Sequence, residues 1–420
     1  MLRMSLPSRR SRGFGSALAL AVAFAGAATV GVVAPTSEAF AQKKDEPQNS
    51  RGFVTAYQPV AETFNEGNGD IAAAKAGLPA VIAAVENERD RLVAGNLVLQ
   101  VANKANDPAL QRQGLELMLQ SGQVAPEQVG QFQFFVGSLA MQAKDYPAAR
   151  TALQAAVDAG YNQDNIQGLL AEAYFQEGNT AQGLTYLKTA IDAQKAAGQQ
   201  VDNQWLLRGL KVAYESNDPA AASEWAALLV DSNPTPDNWL SAIQVVGAVN
   251  AFEPQVQLDL LRLMMETGSL KERRDFVTYI EAADPRIMAT EVSRVLDAGT
   301  QAGVFNSSDN YYLDVKRVVD DRLSQDASAA SELEADAGSD PRAAQNAGDV
   351  YLSLANYAKA EEMFKRALDG GADRDLNLTR LGIAQTKQGK KAEAKASFDQ
   401  VSGVRAPVAK MWSAYVSGQA

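Results

Sequence analysis

The chain has 420 residues, a formal net charge of −11, and neither histidine nor cysteine. Without a thiol there is no disulfide framework, thiolate nucleophile, lipid-modified cysteine or thiolate metal site. Without an imidazole the Ser-His triads and nearly all transition-metal constellations are gone. The acidic balance also argues against a nucleic-acid partner, which needs a basic face.

In chain order, residues 1–15 carry Arg3, Arg9, Arg10 and Arg12 and no acid, and an apolar run follows from Ser16 to Val33. A polar patch then ends at Ala39-Phe40-Ala41, before Gln42. A basic start, an apolar middle and a small-x-small end predict a signal peptide over 1–41, cleaved after Ala41. The alternative is a retained anchor, since 18 apolar residues lie near the lower limit for spanning. Cleavage removes four Arg and Glu38 and leaves 35 basic and 49 acidic residues, net −14. The expectation is an exported, periplasmic protein that is not a lipoprotein and has no membrane span after cleavage. Residues 42–51 (QKKDEPQNSR) are polar and read as a flexible leader.

The body is rich in Ala, Leu, Gln, Glu and Lys, which are good helix formers. Apolar residues recur at three and four, as in Val81-Ile82-Val85 and Leu115-Met118-Leu119. Asp107-Pro108, Asp218-Pro219, Asp284-Pro285 and Asp340-Pro341 mark helix starts. There the aspartate caps free N–H groups, and proline suits the first helical position.

A period of 34 residues organises the chain. From Gly348, apolar or small residues fall at Tyr351, Tyr357, Ala360, Phe364 and Ala367; one step on, Gly382 leads to Ala394, Phe398 and Val401. Gly137 gives Ala140, Tyr146, Ala149, Leu153 and Ala156, and Ala171 gives Tyr174, Gly183, Leu187 and Ala190. Gly209 gives Val212, Ala221, Trp225 and Leu228, and Trp205 and Trp239 are also 34 apart. Each small residue in a first helix lets the second approach, and the large residue one turn later fills the space to the next pair. Such pairs are stable only as a stack.

This pattern resembles the tetratricopeptide repeat family. The resemblance implies an all-α fold: a right-handed α-solenoid of antiparallel helix pairs, degenerate at the N-terminus and in the middle. Residues 52–129 read as degenerate helical pairs and 130–250 as repeats. Residues 251–340 form a divergent helical region containing the acidic Ala/Ser-rich segment 324–340, a poorly packed helix or linker and the candidate break between two halves. Two repeats and a capping helix with Trp412 and Tyr415 occupy 341–420.

No residue pattern supports catalysis, a metal or a cofactor. Asp373, Asp375 and Asn377 begin like a calcium loop, but Leu378 replaces the required glycine and Ala384 the bidentate glutamate. Thr185 and Lys188 have Ser/Thr–Lys spacing but belong to a packed second helix. The resemblance instead implies a concave groove lined by first helices. Its register places Phe134, Ser138 and Met141 there, then Glu172, Phe175 and Gln176, then Leu206, Leu210 and Tyr214. In the C-terminal pair it places Arg342, Gln345, Asp349, Leu352 and Ser353, then Leu376, Thr379, Ile383 and Lys387. Asn346 and Arg380 suit a carboxylate clamp, but its neighbouring Lys and Asn are absent. Aromatic and Met side chains make an adaptable apolar strip; the same residues could equally be core between adjacent helices. The functional expectation is a non-enzymatic scaffold or adaptor that binds other envelope proteins in its groove. An envelope hydrolase using carboxylates and a self-assembling homo-oligomer are the alternatives.

Overall fold

The computed structural model describes residues 48–65, 69–163 and 165–418. Residues 1–47, with the predicted signal segment 1–41 and most of the predicted leader, lie outside the described residues. Among the described residues every regular element is helical. They divide into two compact units, one up to Glu177 and one from Gly178.

The first unit holds α1 (Arg51–Asn65), α2 (Ile71–Ala83), α3 (Glu88–Ala105), α4 (Pro108–Gln120), α5 (Pro126–Gln142), α6 (Tyr146–Asp158) and α7 (Ile166–Gln176). Consecutive helices pack as antiparallel pairs. Gly137 lies so close to Leu153 that a Cβ there would approach its side chain to 2.6 Å. In the α3–α4 pair two glycines set the crossing: a Cβ on Gly114 would lie 2.7 Å from the Leu99 backbone and 2.9 Å from the Gly95 carbonyl. Neighbouring pairs are also tied by ion pairs at roughly the repeat spacing, Lys75–Asp107 (2.7 Å), Arg112–Asp145 (2.8 Å) and Arg150–Glu177 (2.8 Å).

The end of the leader belongs to the folded body. Buried Asp90 accepts the Ser50 N–H at 2.9 Å and the Glu86 N–H at 3.2 Å, and Arg51 opens α1. A buried carboxylate needs such donors, and the backbone ahead of α1 supplies one.

The second unit holds α8 (Thr180–Ala196), α9 (Asn203–Glu215), α10 (Pro219–Ser232), α11 (Pro236–Asn250), α12 (Pro254–Glu266), α13 (Arg273–Ala283) and α14 (Ala289–Gln301). It continues with α15 (Asn310–Arg322), α16 (Asp326–Asp336), α17 (Pro341–Ser353), α18 (Tyr357–Asp369), α19 (Arg374–Lys387), α20 (Lys391–Phe398), a 3₁₀ turn at Gly403–Arg405 and α21 (Ala406–Gly418). The register predicted from spacing appears as contact. A Cβ on Gly209, Gly348 or Gly382 would strike the rings of Trp225, Phe364 or Phe398 at 2.2, 2.6 and 2.5 Å.

Helix boundaries follow the capping chemistry at three of the four aspartate–proline pairs. Asp107, Asp218 and Asp340 each accept N–H groups of the turn they open. Asp284-Pro285 does not start a helix. Asp284 ends α13 with φ +56°, its carboxylate is taken by Arg286 (2.7 Å), and α14 begins at Ala289.

Two boundary expectations are corrected. The acidic Ala/Ser-rich segment is not a break: it contains α16, packed on α17, and buried Asp326 accepts the Thr290 N–H and hydroxyl at 2.8 Å. The division falls between Glu177 and Gly178, inside a pair that the 34-residue register assigns to one repeat. Composition left a poorly packed helix or a linker open; the segment is the helix, largely exposed and anchored by buried Asp326 and Ala330. The terminal helix α21 is also more than a cap. It packs on α10, α12 and α20, and Trp412 is fully buried, stacked on Phe398.

Candidate functional site

In the first unit the groove residues lie on two neighbouring helices, α5 and α7. Phe134 is only 5% exposed and stacks on Tyr161 with ring centroids 5.0 Å apart, so it is core. Ser138 and Met141 are half-buried, and Met141 packs against the cluster of Ala140, Ala149 and Ala173. On α7, Phe175 is half-buried, and exposed Gln176 donates to Glu172 at 2.7 Å. Met141, Glu172, Phe175 and Gln176 therefore reach the surface, with one net charge among them, whereas the Ser138 hydroxyl oxygen is buried.

The remaining three lie in the second unit. Leu206 and Leu210 are 0% and 3% exposed and belong to the core of α9; only Tyr214 is half-buried. The aromatic strip is thus reduced, because α9 turns its leucines into the core. Asn203 is also committed internally, accepting from Asn233 (3.1 Å) and Asn238 (3.0 Å).

The C-terminal pair departs most from expectation. Asp349, Leu352, Ser353, Thr379 and Ile383 are buried. This face is tied to the chain's own α12 and α14. The Ser353 hydroxyl accepts the Glu291 N–H (3.1 Å), Lys387 pairs with Glu266 (2.7 Å), and Arg380 donates to Gln255 Oε1 (2.8 Å). Arg380, 1% exposed, also pairs with Asp349 and faces Asp259. It is a structural tie.

At the centre of this face lies a charge lattice. Asp259 accepts from Arg262 (2.8 Å) and Arg405 (2.6 Å), and its carbonyl accepts the Trp412 indole N–H (2.8 Å). Arg262 is shared with Glu291, which also takes the Tyr279 hydroxyl at 2.9 Å. Burial opposes ionisation of Asp259, yet the guanidinium groups of Arg380, Arg262 and Arg405 hold its carboxyl below the usual range. Glu291 is likewise held low, against its burial, by Arg262. For Asp349 burial wins and its carboxyl is pushed up despite Arg380. Three acids and three arginines balance, so the lattice is a tie among α12, α14, α17, α19 and the 3₁₀ turn. Carboxylates do converge here, but each is engaged by an arginine inside the core. The sequence held one signal of it: Asp259 and Arg262 interrupt the apolar run Leu258–Met265.

A separate cleft of about 500 Å³ runs between α10 and α21. Leu228, Phe398, Ala409 and Ala414 line it, with Glu224, Asp231 and Lys410 at its rim. Among the described residues no helix is long and apolar enough to cross a membrane.

The glycine–aromatic contacts and stacked pairs define a helical-repeat scaffold, and comparison with known proteins identifies the repeat. Residues 341–369, the α17–α18 pair, match the tetratricopeptide repeat model. The chain therefore carries a tetratricopeptide repeat in its α17–α18 pair. Among solved structures, a complex of Naa15/Naa10 bound to HypK-THB is similar at 13% identity, over 85% of this chain and 58% of that one, with a TM-score of 0.42. A tetratricopeptide repeat protein from Parabacteroides merdae is similar at 13% identity, over 69% of this chain and 99% of that one, with a TM-score of 0.26. The chain thus spans 58% of the length of the Naa15/Naa10 match. No curated protein sequence matches it.

Proposed function

We propose that the protein is a non-enzymatic interaction scaffold that works in the bacterial envelope and presents the α5–α7 face to partner proteins. The observation that carries this reading is the contrast between two faces. Asp349, Leu352, Ser353, Thr379 and Ile383 of the C-terminal pair are buried and Lys387 is paired to Glu266 of α12, whereas Met141, Glu172, Phe175 and Gln176 remain at the surface. A thioether and a half-buried ring bordered by amides and a carboxylate suit a peptide with apolar anchors. Export rests on the basic, apolar and Ala-Phe-Ala pattern of residues 1–41. Crosslinking capture from an envelope fraction tests the binding face. Met141→Asp combined with Phe175→Asp, in a chain with unchanged circular dichroism, should reduce capture at least tenfold; undiminished capture removes the α5–α7 face from the reading. Mass analysis of the exported chain should find Gln42 at its N-terminus, and an intact residue 1 would contradict cleavage.

A further inference from the structure

We propose that Asp259 is the keystone of an acid-released latch that closes the segment 403–418 onto α12. Asp259 is completely buried, and one of its oxygens accepts Arg405 while the other accepts Arg262. The groups facing it come from every element packed around it: Arg262 on α12, Arg380 on α19, Asp349 on α17 and Arg405 on the 3₁₀ turn. Glu291 and Tyr279, on α14 and α13, reach it through Arg262.

These ties are unequal. If Asp259 loses its charge, Arg262 retains Glu291, and Arg380 retains its hydrogen bonds to Gln255 Oε1 (2.8 Å) and to the Asp349 carboxyl. Among the described residues, Asp259 is the one carboxylate that Arg405 reaches; its other contact is the Gln255 carbonyl at 3.4 Å. Asp349, pushed up by its burial, is already neutral when Asp259 takes a proton, so three guanidinium groups are left facing Glu291 alone in a desolvated site, where like charges repel strongly. Arg405 is the cation with no second anchor, so its segment is the one that leaves. Residues 399–402, which join it to α20, carry no helix to resist that motion. Trp412 follows because it lies on the helix that Arg405 precedes, and its indole N–H then leaves the Asp259 carbonyl; Tyr415, edge-on to Trp239 at 6.0 Å, is on the same helix. Release removes one wall of the α10–α21 cleft and uncovers Leu228 and Phe398. The latch is held shut at neutral pH and opens only below the ordinary carboxylate range, since its arginines keep Asp259 ionised.

The full chain labelled with 5-fluorotryptophan reads this directly, because its four tryptophans are Trp205, Trp225, Trp239 and Trp412. On acidification the Trp412 and Trp239 fluorine signals should move to solvent-exposed positions while Trp205 and Trp225 keep their folded ones. Arg405→Gln and Asp259→Asn should each produce that selective exposure at pH 7, and Lys410→Gln, on the exposed side of α21, should not. All four signals moving together at one midpoint would overturn the latch. So would a buried Trp412 signal in folded Arg405→Gln. If Asp259→Asn does not fold, the titration of the unaltered chain and Arg405→Gln still decide.

Discussion

Arg405 reaches Asp259 across 146 residues of sequence, Nη1 to Oδ2 at 2.6 Å, inside a core that excludes water from both. Stacked repeats ordinarily contact only their neighbours. Here the last helix of the second unit returns to α10 and α12, and the ion pair is the polar part of that return.

The three acids of the lattice should respond differently to neutralisation. Asp349 is pushed up by burial, so its ionised form costs the folded state, and the stability it contributes is lost as pH rises through its folded value. Asp349→Asn should therefore leave the urea midpoint at pH 7 unchanged or raised. The difference from the unaltered chain should shrink on acidification below the ordinary carboxylate range. A loss of more than about 1 kcal/mol at pH 7 would assign Asp349 a net stabilising pair with Arg380 instead.

Glu361 gives the opposite sign. Its carboxylate receives Lys365 and Lys390, both at 2.6 Å, and Gln388 at 2.8 Å. Burial opposes ionisation, but those donors hold the carboxyl down to about 2. A depressed value contributes stability above pH ~4.5, lost as pH falls towards 2. Its lysine partners are largely solvated, so Glu361→Gln should cost only about 1–2 kcal/mol at pH 7. Thermal unfolding near pH 2 should no longer distinguish the variant.

The glycine–aromatic contact predicts a coupled pair. Gly209→Ala forces a methyl group to within 2.2 Å of the Trp225 ring and should cost about 1–3 kcal/mol by overpacking. In a background of Trp225→Leu the same change should cost less, because the ring is gone. A double-mutant cycle measures the difference, and strict additivity would mean that the backbone shifts instead of clashing.

Several first helices end in a residue at positive φ, among them Asn106, Lys144, Asn217 and Ala355. Ala355 at φ +58° carries a Cβ against the following carbonyl, which costs roughly 1–2 kcal/mol. Ala355→Gly should raise the melting temperature, with a net gain of about 0.5–1 kcal/mol after the entropy cost of glycine. Lys144→Gly, at φ +60°, should behave alike.

The sequence by itself determined the repeat. Glycine opposite an aromatic at fixed spacing is a local constraint, readable because each pair of positions lies within one helical hairpin. Aspartate–proline starts were legible for the same reason, and failed at Asp284 because Arg286, two residues on, took the carboxylate and the backbone turned to positive φ. What a groove position faces was not legible. Leu206 and Leu210 are turned into the core of α9, and Arg380 and Lys387 of the C-terminal pair are tied to α12, more than a hundred residues before them. Pairing of charges such as Asp259 with Arg405 depends on which buried groups are brought together, and burial is settled by tertiary packing. Spacing in the chain carries no record of it.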